Sequence, residues 1–453
     1  MIKKIVIILL LVGIVLNSNG YCATYFVDKG HVGSNQGTEN NPYTSFNDVE
    51  GVIEQGDVVY VKGYGFSDPY RESLGLGANA ISRQLQQENC TWYLDWTGIG
   101  ETRSNSNKVH FYGSNDISGA TWTQEGASDV YSTEYALGVG DYLIFADSGR
   151  GLAWKVTNEN DIVTLVGTSN YPPSSVEDLT LNECYHDSDA DTLYVNIGED
   201  PTGSHIEVTR ALRGIEFWPR VTIYSGSVHF STGGIGSVGC ARWTINDVES
   251  SYNDRGLTSN AGCFWEYSDL VNLRVHHNAR HGIWLANNNT GQNVRLINSA
   301  IYSNGSNGYY GICGGPGANY IINCVFYGNG EKGIYVDQPT GIPATFYCYN
   351  TISEENTEEE FYATDIEGIN IVADHNCTTG DYDGVRWLPG ENDIADSPQL
   401  TSDYHIEITS PCRDAGIRYS DVVHDFDGQP RERGMGVDIG INELPPPINC
   451  TIN

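Results

Sequence analysis

Between Val275 and Gly282 the chain reads Val-His-His-Asn-Ala-Arg-His-Gly, so three of its 11 histidines share one short stretch with an arginine. Imidazole exchanges protons near neutral pH and guanidinium attracts anions, so with a carboxylate nearby such a group can perform acid–base chemistry. One repeat upstream, Asp254 and Arg255 supply the carboxylate and a second guanidinium. The candidate catalytic set is Asp254, Arg255, His277, Arg280 and His281. Two other readings of the same residues stay open: a solvated turn laced by salt bridges, and a His-rich metal site. The identity of any metal is left unknown.

A second set suits binding. Thr258, Trp284, Tyr310 and Tyr335 recur at matched positions, two residues after a repeated glycine. If the glycine opens a strand, the next residue points inward and the one after it outward. Three aromatic rings then form a strip on the outer surface, suited to the C–H faces of sugars. Outward tyrosines also simply shield strand backbone. With Glu331 and Lys332 in the adjoining turn, the candidate substrate-binding residues are Trp284, Tyr310, Tyr335, Glu331 and Lys332.

A repeat must position both sets. Asn246, Asn272, Asn298, Asn323 and Asn350 are spaced 26, 26, 25 and 27 apart. Asn253, Asn278, Asn304, Asn329 and Asn356 run beside them, followed by Gly256, Gly282, Gly308 and Gly333. A period of this length with short β runs predicts a solenoid, because one turn cannot bury its own apolar face. Asn tolerates left-handed turns and its amides can bond along the stack; Gly serves positive φ or close approach. The ladder of leucines that a leucine-rich repeat needs is absent.

Composition agrees. The 453 residues include 52 Gly and 39 Asn, 39% are hydrophobic, and 58 acidic residues face 24 basic ones for a net charge of −34. Such a chain can bury a large core, so it is not disordered. Its field repels phosphate, which argues against nucleic acid and anionic membrane surfaces as partners. Lys3 and Lys4, the apolar run Ile5 to Leu16 and the polar stretch to Ala23 read as a secretory signal peptide, too short to span a bilayer. The expectation is a secreted (extracellular or periplasmic) monomer without a transmembrane span. The 10 cysteines after Cys22 form no C-x-x-C pair; several are read as buried thiols, with connectivity open.

The repeat resembles the right-handed parallel β-helix of the pectate-lyase-like superfamily. Gly33-Ser-Asn-Gln-Gly37 to Phe46, then Gln55-Gly56-Asp57 to Val61, is similar to the entry of many secreted β-helix proteins, with a capping helix over Phe46 to Glu54. Ser410-Pro-Cys412-Arg-Asp414-Ala-Gly416, Asp425-Phe-Asp427-Gly-Gln-Pro430 and Val437-Asp438-Ile-Gly440 resemble their closing segment. The expected organisation is 1–23 signal peptide, 24–119 cap and first turns, 120–210 β-rich insertion, 211–400 repeats, 401–443 closing segment and 444–453 Pro-rich tail.

The resemblance implies a polysaccharide or cell-surface glycan as partner. It implies a lyase that eliminates uronate residues with an Arg or Lys base, or a glycosidase with two carboxylates. The alternative is a non-catalytic glycan-binding or structural protein. Arg280-His281-Gly282 resembles part of the polygalacturonase pattern, but that family's Asn-Thr-Asp and Asp-Asp elements are missing. Calcium is a possible cofactor. Asp187-Ser-Asp189-Ala-Asp191 resembles a calcium loop without its sixth-position glycine, and an acidic turn is the competing reading. Arg255, Arg274, Arg280 and Arg295 offer a basic patch if they share a face.

Overall fold

In the computed structural model the chain is a parallel β-helix walled by three sheets of ten, seven and eight strands. The structure describes residues 22–445, except 65–67, 72–73, 77–88, 98–107, 113, 127, 135–149, 157–161, 168–175, 177–178, 182, 188–189, 203, 210–214, 218–220, 230, 232, 238–242, 260–267, 286–292, 313–316, 338–342, 365–367, 383–386 and 432. Nearly all of the expected signal peptide, Gly140 to Phe145, Asp189, Cys313 and most of the Pro-rich tail lie outside the described residues. No described helix is long and apolar enough to cross a membrane.

One turn of the helix places Ser268–Val271 in the first sheet, Arg274–His276 in the second and Ile283–Leu285 in the third. The next turn begins at Val294–Ile297. Strands pair in parallel and in register: Leu270 with Leu296, Val275 with Ile301, Ile283 with Tyr309. Register stacks apolar residues into continuous inward columns along the axis. Leu257, Ile283, Tyr309, Ile334 and Phe361 are buried, as are Ile245, Leu270, Leu296, Ile321 and Cys348. Burying one such aliphatic side chain is worth about 1.5–3 kcal/mol, and only the stacking of turns supplies the apolar neighbours.

The two asparagine series divide the labour. Asn272, Asn298, Asn323 and Asn350 adopt φ between 47 and 54° at the bend from the first sheet to the second. The other series stays out of the left-handed region and forms a buried amide ladder. Asn278 Nδ2 donates to Asn304 Oδ1 at 2.9 Å, Asn304 to Asn329 at 2.9 Å and Asn329 to Asn356 at 2.8 Å. Each Oδ1 also accepts the backbone N–H of the preceding asparagine, as from Asn278 N to Asn304 Oδ1 at 3.2 Å. Ser231 opens the ladder, and the Glu360 carboxylate closes it on Asn356. The repeated glycines serve close approach: a Cβ on Gly282 would lie 2.7 Å from Gly308 O and 2.7 Å from Ile301 Cγ2.

The entry helix is shorter than expected, a single helical turn at Phe46–Glu50. Gly51 ends it, leaving Val52 at 42% exposure while Phe46, Val49 and Ile53 enter the core. A separate eight-stranded sheet runs from Ser114–Asp116 to His205–Thr209. It is spliced between His110–Tyr112 of the second sheet and Ile215–Phe217 of the third, where other turns carry only the short asparagine loop. The turn after Asp187 joins two antiparallel strands of that sheet, and Asp187 Oδ1 accepts Ala190 N at 3.1 Å.

The closing segment lies on the second sheet, where Ile406, Cys412, Ile439 and Ile441 cover Ala300, Val325 and Ile352. Arg431 anchors it: its buried guanidinium donates to Asn298 Oδ1 at 2.8 Å and to Gly440 O at 2.9 Å, beside Glu443.

Candidate functional site

The third sheet carries the outward aromatic file. Register aligns Thr258, Trp284, Tyr310, Tyr335 and Tyr362, one side chain per turn. Thr258 is buried and the four rings are half-exposed. Tyr362 was missed in the sequence because Glu360 stands where the repeated glycine would flag it. Its spacing of 27 from Tyr335 is the available signal. The rings do not form a flat platform. Tyr310–Tyr335 and Tyr335–Tyr362 meet edge to face at 4.8 and 5.0 Å, and Tyr310 donates its hydroxyl to Asp337 at 3.0 Å.

Two polar columns border this file in the turns that lead into the third sheet. Asp254, Arg280, Ser306 and Glu331 follow one another along the axis, linked by N–H···O bonds from Arg280 N to Asp254 O, Ser306 N to Arg280 O and Glu331 N to Ser306 O. Beside them stand Arg255, His281, Asn307 and Lys332. Asp254 is 1% exposed and accepts both Nε and Nη2 of Arg280, the first at 2.6 Å. A forked pair of this kind satisfies the buried carboxylate.

Arg255 differs from Arg280. Its guanidinium carbon sits 4.0 Å from the Trp284 ring centre, and its buried Nε has no hydrogen-bond partner. Burial and the neighbouring Arg280 push its pKa down to about 10, against the opposing pull of Asp254. His281 stacks on Tyr310 at 5.3 Å, and its Nδ1 lies 3.3 Å from Asn307 Nδ2. Burial, then Arg255 and Arg280, push its pKa down to about 3, so the ring is neutral at ordinary pH. Glu331 accepts from Ser306 at 3.3 Å and from Asn307 at 2.9 Å. Lys332 pairs with Glu358 and Glu359 and lies over Tyr362 at 4.9 Å.

His277 goes elsewhere. With φ 51° it turns away at the end of the second-sheet strand, and no described hydrogen bond, ion pair or ring contact joins it to Asp254, Arg255, Arg280 or His281. It stacks on Tyr252 at 5.4 Å, and its Nδ1 faces His276 Nδ1 at 2.8 Å. His276 Nε2 lies 3.3 Å from Glu249 Oε1, and Tyr302 stacks on its ring at 4.6 Å. Burial, then His276, push the His277 pKa down to about 4.

The four-arginine patch also divides. Arg274 packs on Phe426 at 4.4 Å beside the second sheet, and Arg295 pairs with Asp269 and Asp421 on the first. Only Arg255 and Arg280 share the third-sheet border. Among the described residues no group of three or more His, Cys, Asp or Glu side chains is placed to hold a metal ion.

No family model and no curated protein matches the sequence. Among solved structures, the chain is similar to a complex of XylC with xylose at 12% identity, over 93% of this chain and 98% of that one, with a TM-score of 0.36. Pectate lyase Pel9A matches at 10% identity over 93% and 96%, with a TM-score of 0.33. A glycoside hydrolase matches at 10% identity over 78% and 96%, with a TM-score of 0.29.

Proposed function

We propose that the third-sheet face binds a polysaccharide across successive turns and cleaves it by β-elimination, with Arg255 as the base. The observation that carries this reading is the state of Arg255: half-buried, lowered in pKa, and with Nε unpartnered against Trp284. A base of this kind removes the proton on the carbon next to a uronate carboxylate. The electron pair forms the new double bond, and the glycosidic oxygen leaves and takes a proton from water. Arg280, held by Asp254, lowers the proton affinity of Arg255 by like charge.

Hydrolysis fits less well. It needs two carboxylates flanking the scissile bond, whereas those bordering the file are engaged within the protein: Asp254 by Arg280, Glu331 by Ser306 and Asn307, Asp337 by Tyr310. A secretory reading of residues 1–23 supports an enzyme that meets its glycan outside the cytoplasm.

Product analysis on a panel of uronate-containing and neutral polysaccharides tests the proposal. Elimination yields an unsaturated, ultraviolet-absorbing end that Arg255→Ala abolishes. New reducing ends without that chromophore would overturn elimination. Glycan binding without any product would establish the non-catalytic alternative.

A further inference from the structure

Two cysteines meet where the closing segment lands on the β-helix. Cys377 bridges Ile352 and Ile394 at the end of the second-sheet stack. Cys412 lies in the Ser-Pro-Cys turn of the closing segment. Both are fully buried in the same cluster, with Ile352 and Ile439.

Hydrogen bonds hold the stretch between them in place. Cys377 Sγ donates to Asp396 O at 3.3 Å, Ser410 Oγ to Pro398 O at 2.5 Å, and Cys412 N to Ser410 Oγ at 3.1 Å. Cys377 and Cys412 are both free thiols in this structure and pack into one buried cluster, where the neighbouring Cys412 thiol, then burial, raises the Cys377 pKa. Cys324 and Cys348 lie in the main core of the β-helix instead, where their thiols donate to Ile322 O at 3.3 Å and Asn376 Oδ1 at 3.6 Å.

We propose that Cys377 and Cys412 are joined by a disulfide in the mature protein, stapling the closing segment to the last turns of the β-helix. The oxidant is a disulfide donor of the thiol-exchange class. One cysteine thiolate attacks the donor's S–S bond, forming a mixed disulfide and releasing one donor thiolate. The second cysteine thiolate attacks the protein sulfur of that mixed disulfide, forming the Cys377–Cys412 bond and releasing the other donor thiolate. Two electrons and two protons pass to the donor, which ends as two thiols. Exchange precedes final docking, because both sulfurs are sealed once the segment packs. An oxidising compartment, which the signal-like residues 1–23 imply, permits the reaction. This inference is independent of the polysaccharide reading.

The test is cysteine mapping on the full chain exported by a secreting host and purified without reductant. The protein is denatured, alkylated with iodoacetamide, digested and analysed by mass spectrometry with and without prior reduction. The expected result is a cross-linked peptide pair carrying Cys377 and Cys412, alkylated only after reduction, with Cys324 and Cys348 alkylated at once. Full alkylation of Cys377 and Cys412 in the unreduced protein, or linkage of either to another cysteine, overturns the proposal.

Discussion

The Arg255 guanidinium lies 4.0 Å from the centre of the Trp284 ring while its Nε stays unpaired in a buried position. A guanidinium normally reaches for carboxylates or carbonyls. Here the nearest carboxylate, Asp254, is already bound by Arg280 through two nitrogens. Arg255 is left with a π-face, a like charge and the pull of a carboxylate already engaged elsewhere, and that setting makes it chemically distinct on this surface.

Replacing Arg255 with alanine should lower kcat/KM by about 10²- to 10⁴-fold, the range for a positioned proton acceptor. Because its pKa is near 10, about one molecule in a thousand carries the neutral form at pH 7. The rate should therefore rise about tenfold per pH unit from neutrality until the pH approaches 10. His281, already neutral, should add no inflection above pH 5. A pH–rate profile checks both statements.

Trp284→Ala should act on binding and on the base together. Losing the ring removes a cation–π contact worth about 0.5–2 kcal/mol, so the Arg255 head group loses its fixed position. Steady-state kinetics should show a higher KM and a lower kcat. Tyr362→Ala, at the far end of the file, should change KM alone.

Asp254→Asn should be among the more damaging single substitutions. Asp254 is 1% exposed, so the change leaves the Arg280 charge without its counter-ion; breaking a buried pair from one side costs about 3–5 kcal/mol. The paired replacement Asp254→Leu with Arg280→Met should recover part of that loss in chemical denaturation.

Gly282→Ala should destabilise despite the small size of the change, because the added carbon meets Gly308 O at 2.7 Å. Gly119→Ala, where a Cβ meets nothing within 4 Å, is the control and should be neutral or slightly stabilising. Thermal melts of the two variants decide.

Glu443 should make the closing segment sensitive to pH. Burial, then Asp438, lift its carboxyl to about 7 from 4.5. The folded form binds this proton more readily than the unfolded chain, so the contribution is fully present below pH 4.5 and lost as pH rises through 7. The depressed His281 pKa contributes a slope of opposite sign. The informative quantity is therefore the difference between wild type and Glu443→Gln. Its Tm gap should change between pH 4.5 and 7 and level off outside that window.

Much of the fold was legible because stacking makes the period visible: a residue that must lie above its equivalent recurs every 25–27 positions. The Trp284–Tyr310–Tyr335 file and the nearness of Asp254 to Arg280 followed from that register. The direction of the left-handed turns did not. His277 and Arg280 are three residues apart in sequence, yet the bend at His277 sends them to different faces. The two asparagine series look alike in sequence, and only packing shows that one bends the chain while the other is sealed into amide bonds. Arg274 and Arg295 failed to join Arg255 because a turn distributes its residues over three walls.

The amide ladder has a direction. Each side chain from Asn278 to Asn329 donates a hydrogen bond to the next turn, and the run stops where Asn356 donates to the Glu360 carboxyl group. Chain can be added to it only in whole turns that carry their own asparagine, as duplication of the unit from Asn278 to Asn304 would do. Every such duplication lengthens the third-sheet face by one strand spacing, about 4.8 Å, and adds one outward side chain to its file. The length of the third-sheet face is thus graduated in whole repeats.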